Sequence, residues 1–135
     1  WSETLELLHD SAPEIAVTVW CNEDAPLIWG TIMREIAGLP KNTKLNSEFD
    51  LLETIMSVEG MKRFRSYMAA HPEISGSQEQ KVIAAFLGKF AMEDAIEEEV
   101  DMPGWTEDLV EEMTENYDQD VLRIQQIPNV RMIMP

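Results

Sequence analysis

A single cysteine, Cys21, stands in the 135 residues, so no disulfide framework forms within the chain and a reducing compartment is expected. Apolar runs stay far short of the roughly 20 residues that cross a bilayer, and no signal peptide is visible. Among six glycines and two histidines there is no Gly-x-x-x-x-Gly-Lys-[Ser/Thr] loop, no Gly-x-Gly-x-x-Gly and no Gly-x-Ser-x-Gly. Zinc-type Cys/His spacing is missing as well. No complete catalytic constellation can be assembled, and no cofactor is implied by any motif. Basic residues are also scarce. Ten Lys and Arg stand against twenty-six Asp and Glu, a net charge of −16, which repels phosphates and argues against nucleic acid or an anionic membrane as a partner. The expectation is a soluble, cytoplasmic protein. A first residue of Trp1 rather than Met suggests a processed product or an excerpt of a longer chain.

What is present is the composition of a packed protein. The apolar fraction is 44% with four tryptophans, and the length suits one domain with one core. The pattern predicts a mainly α fold with one or two short parallel-type strands, an α/β fragment in which amphipathic helices pack on a minimal sheet. Residues 1–40 read as a helix–strand–helix unit of a single domain or domain fragment, 47–126 as helical and 130–134 as a final strand. Ser2 is a candidate N-cap for a first helix closed by Pro13. Residues 15–21, IAVTVWC, are apolar on both alternating sets, the pattern of a strand covered on both faces. Pro26 suits a first helical turn, and Ile28, Ile32 and Ile36 recur on one face until Gly38. Ser47, Ser57 and Thr106 are candidate caps for later helices. Ser77 with Gln80 forms a capping box for a helix predicted to reach as far as residue 99.

A strand of this kind needs neighbours. Two strands alone are marginal in water, and an apolar edge invites pairing with another chain. The missing cover is expected from helices on both sides, from a homodimer partner or from a lost N-terminal portion. Asn22, Glu23 and Asp24 sit at the strand's carboxyl end, where open α/β sheets place ligands, and form the candidate ligand edge.

Charge is divided along the chain. Residues 93–120 hold thirteen acids and no base, whereas six of the ten Lys and Arg lie between 34 and 65. Glu93, Asp94, Glu97, Glu98, Glu111 and Glu112 are the candidate surface for a basic protein, because like charges spaced by four repel and gain from a cationic neighbour. Their ordinary reading is a solvated helix face. A metal reading is weaker still: a di-metal carboxylate bundle needs two Glu-x-x-His pairs and the chain has one, Glu6 with His9. A calcium loop needs alternating oxygens with a Gly, and none is found. Lys62, Arg63 and Arg65 form a tight basic cluster around Phe64, read as a solvated face with a core aromatic rather than a phosphate site. His9 and His71 read as structural, and Cys21 as a buried strand residue.

One arrangement resembles a known family. A Trp-led helix, Pro13, a strand through residues 17–21 ending in Glu23-Asp24, and a helix closing in Ala37-Gly38-Leu39-Pro40 occur in the order of a late unit of the P-loop sulfotransferases, most like the divergent bacterial members. The segment from Glu107 through Tyr117-Asp118-Gln119-Asp120 to Arg123 is similar to that family's terminal helix. The resemblance implies the carboxyl-terminal segment of such a protein, contributing packing or acceptor-side specificity. It also implies inertness alone, because the Gly-rich loop that holds the donor 3′-phosphoadenylyl sulfate is not in this sequence. The family's strand-end acids match Glu23 and Asp24, and no catalytic residue carries over. A stand-alone acidic helical interaction module and a carboxylate metal-binding domain are the alternatives.

Overall fold

The doubly apolar run forms β1 (Val17–Trp20), and its neighbour is β2 (Val130–Ile133) from the far end of the chain. The strands run parallel, with Val17 opposite Val130 and Trp20 opposite Ile133. Apart from this pair the computed structural model, which describes residues 1–96 and 102–135, is mainly helical, as the periodicity predicts. Its described residues divide into two compact units, 1–20 with 102–133 and 21–96 with 134–135.

In the first unit, α1 (Ser2–Ser11) and α7 (Glu107–Ile124) accompany the sheet. Ser2 is not the N-cap; Trp1 occupies that position and Ser2 is the first helical residue. The Ser2 backbone N–H instead donates to the Asp120 carboxylate at 3.0 Å, and its hydroxyl donates to the same group. A carboxylate at a helix N-terminus satisfies orphan N–H groups and suits the dipole, which is why a distant acid outcompetes the local cap. Arg123 reaches Glu6 of α1 with two hydrogen bonds of 2.8 and 2.6 Å. Asn129, in the left-handed region at φ 60°, turns the chain into β2 and donates its side-chain N–H to the Pro13 carbonyl at 2.7 Å. Among the described residues of this unit, Ile124, Ile127 and Ile133 are the buried apolar ones, and Ser2 is buried as well.

The second unit packs α2 (Ala25–Ile36), α3 (Asp50–Ile55), α4 (Val58–Ala70), α5 (Ser77–Phe90) and α6 (Glu93–Ile96). Pro26 lies in the first turn of α2, and Gly38 at φ +62° ends it while the Leu39 N–H returns to the Arg34 carbonyl, the αL stop that favours glycine. Ile28 and Ile32 face inward as spaced. The centre is Leu52, Met56, Met61, Phe64 and Ile83. Phe64 is fully buried, with Phe49 and Phe86 edge-on to its ring at 4.9 and 5.5 Å. Edge-on aromatic pairs add about 0.5–1.5 kcal/mol beyond burial.

Caps divide by context. Ser57 accepts from the Gly60 N–H at 3.2 Å and Thr106 from the Leu109 N–H at 3.2 Å, as predicted. Ser47 does not cap α3: Phe49 takes the N-cap position, where its ring is committed to Phe64. The capping box at Ser77 also fails to form. Gly76 precedes the helix at φ +57°, and Gln80 donates to the Met134 carbonyl instead. The helix predicted to run to residue 99 stops at Phe90. Ala91 turns extended and bridges Met56, with the Ser57 N–H bonded to the Phe90 carbonyl and the Met92 N–H to the Ile55 carbonyl, each at 2.9 Å. Two tertiary hydrogen bonds replace the next helical ones, and residues 97–99 of the predicted helix lie outside the described residues.

Candidate functional site

The predicted ligand edge becomes a one-turn 3-10 helix, Asn22–Asp24, leading directly into α2. Asn22 and Glu23 are exposed and Asp24 is half-buried. Burial, and then the neighbouring Glu23 carboxylate, push the Asp24 carboxyl above its ordinary range. Asp24 occupies the N-cap position of α2 without a side-chain cap bond. Two adjacent carboxylates suit hydrogen-bond donors rather than an anion. Cys21, expected inside the strand, lies just beyond β1 and is half-buried, because pairing with β2 ends at Trp20.

The predicted basic-partner surface is only partly described. Glu97 and Glu98 lie outside the described residues. Glu93 begins α6, and Asp94 is exposed there. Glu111 and Glu112 are exposed on α7, which belongs to the other unit. Sequence reading missed what lies beside the acids of α7. Leu109, Val110 and Met113 are 37%, 44% and 46% exposed. Their spacing was legible as an apolar face; that no described residue covers it was not.

Two grooves are lined by other residues. One, of about 510 Å³, lies against α1 and the end of α7 and is lined by Glu6, His9, Asp10, Arg123, Gln126 and Ile127. The Nδ1 of His9 is buried there without a hydrogen-bond partner among the described residues, and Arg123 is committed to Glu6. The other, of about 770 Å³, runs between α4 and α5 and is lined by Glu59, Lys62, Arg63, Ser66, Tyr67 and Phe86. The basic cluster splits here. Lys62 and Arg63 line the groove, Arg63 pairing with Glu59, while Arg65 reaches Glu53 at 2.9 Å. Arg63 and Lys89 lie 5.5 and 5.6 Å from the centre of the Phe90 ring, a cation–π arrangement.

A third cluster is structural. Arg34 donates to the Thr43 carbonyl at 2.7 Å and pairs with Glu48, both partners being largely buried. Burial, and then Glu48, push the nearby Glu79 carboxyl up, with Arg34 opposing.

Among the described residues, no three His, Cys, Asp or Glu side chains are placed to hold a metal ion. No described helix is long and apolar enough to cross a membrane. No protein family, curated protein or solved structure matches the chain.

Proposed function

We propose that this chain is the carboxyl-terminal segment of a divergent bacterial sulfotransferase-like protein of the cytoplasm. It contributes packing and acceptor-side specificity and is inert without the part that binds the donor. The observation that carries this reading is the parallel pair β1–β2. Parallel strands belong to sheets covered on both faces, yet all four residues of β1 are only half-buried, and a pair of strands is marginal in isolation. The order helix, strand, Asn22–Asp24 turn, helix and Gly38 stop supports the same reading, as does α7 preceding the last strand. Further strands supplied by a preceding portion, or by a second copy, would complete the sheet.

The test compares this chain with the longest reading frame that contains it, each titrated calorimetrically with 3′-phosphoadenylyl sulfate. Binding to the longer protein and none to this chain is expected. A longer frame that carries no Gly-rich phosphate loop and takes up no donor, or a reading frame that adds nothing before Trp1, would remove the proposal.

A further inference from the structure

We propose that the amino-terminal two-thirds of α7 is a docking surface for a basic amphipathic helix of another protein. Leu109, Val110, Met113, Tyr117, Val121 and Ile124 recur at the three- and four-residue spacing of a single helix face. At its carboxyl end this face belongs to the interior: Ile124 is buried and Val121 half-buried. Towards the amino end the same face continues, without cover from the described residues, through Met113, Val110 and Leu109. Scattered apolar residues on a surface are ordinary. A stripe that prolongs a buried seam into solvent marks an interaction site.

Charge selects the occupant. Glu107 and Asp118 follow Val110 around the helix, and Glu112 lies beyond Leu109, so carboxylates border the stripe on both sides. None of these three is ion-paired with a described residue. An acidic partner meets repulsion at this rim. A second copy, also at −16, is repelled at longer range as well. A helix with apolar residues at i, i+3/i+4 and i+7 and with Lys or Arg beside them buries the stripe and neutralises its borders. The surface therefore centres on Leu109, Val110 and Met113 with their acidic rim. It does not depend on the sulfotransferase reading.

The probe is a labelled 18-residue helical peptide with leucines on one face and lysines elsewhere, followed by fluorescence anisotropy against the full chain. Two controls accompany it: a scramble of the same composition, with its leucines spread around the helix, and a version with glutamate in place of lysine. The one-faced basic peptide is expected to bind about tenfold more tightly than the scramble and to weaken with salt. Met113→Asp is expected to cost about tenfold, while Leu122→Asp, on the other side of α7, leaves binding unchanged. Circular dichroism checks both folds, and Met113→Ala replaces Met113→Asp if the latter unfolds. Equal binding of the scramble, indifference to Met113, or equal binding of the acidic peptide would overturn the proposal. So would sedimentation showing that the chain covers this face with a second copy of itself.

Discussion

Asp120 is the residue through which α7 holds the first turn of α1. Hydrogen bonding, led by the Ser2 hydroxyl, holds its carboxyl down at about 2. A carboxyl depressed in the folded state stabilises fully above the ordinary carboxylate range near 4. That contribution is lost as pH falls from there through about 2. Ser2→Ala is expected to raise the Asp120 titration midpoint, followed by carbon NMR of the carboxyl, and to move the acid transition to higher pH; an unmoved midpoint would show that the hydroxyl is not the main cause. Glu79 has the opposite sign. Its carboxyl is pushed up, so the folded state holds the proton more tightly, and the ionised form costs stability at neutral pH. Glu79→Gln is expected to raise the melting temperature at pH 7 and to change it little near pH 4. An equal change at both values would locate the effect in packing rather than in charge.

At the scale of elements, α4 and α5 meet where Gly60 leaves no room. A Cβ on Gly60 would lie 2.4 Å from the Phe90 Cβ and 2.8 Å from its Cγ. Alanine gains about 1 kcal/mol of helix propensity over glycine, whereas forcing an added carbon into a packed contact costs about 1–3 kcal/mol. Gly60→Ala is therefore expected to destabilise in urea titrations. Gly88→Ala, on α5 with open space where the Cβ would sit, should stabilise by about 0.5–1 kcal/mol. If both substitutions stabilise, the close approach of the two helices is wrong. The individual helices were largely legible, because Ile28 with Ile32 and Phe64 with Met61 carry a helical period that one strip of sequence displays. Their ends were less so. Ser57 and Thr106 cap as local chemistry dictates, but Ser2, Ser47 and Ser77 do not, since Asp120, the Phe49–Phe64 contact and the Gly76 turn intervene from outside the capping segment or its consensus.

For the whole molecule, the dominant quantity is a charge of −16 on 135 residues. Self-repulsion of that size opposes the compact state and is relieved by screening. Raising sodium chloride from about 10 to about 150 mM shortens the screening length from about 30 to about 8 Å, and the melting temperature is expected to rise over that range. A flat or falling melting temperature would mean that favourable ion pairs, such as Arg34–Glu48 and Arg123–Glu6, outweigh the repulsion.

The sequence by itself determined the mainly helical character, the doubly apolar strand, the first-turn role of Pro26, the Gly38 stop and the division of charge. Each follows from a local period, from backbone stereochemistry or from a sum over residues, none of which needs a distant partner. Only the tertiary structure decided that Val17 pairs with Val130 in parallel register, that Ser2 answers to Asp120, that α5 ends at Phe90, and that the apolar face of α7 is buried at Ile124 yet open at Met113. These are outcomes of competition between residues far apart in the chain. A periodic apolar face states what a helix can bury and leaves open what will cover it.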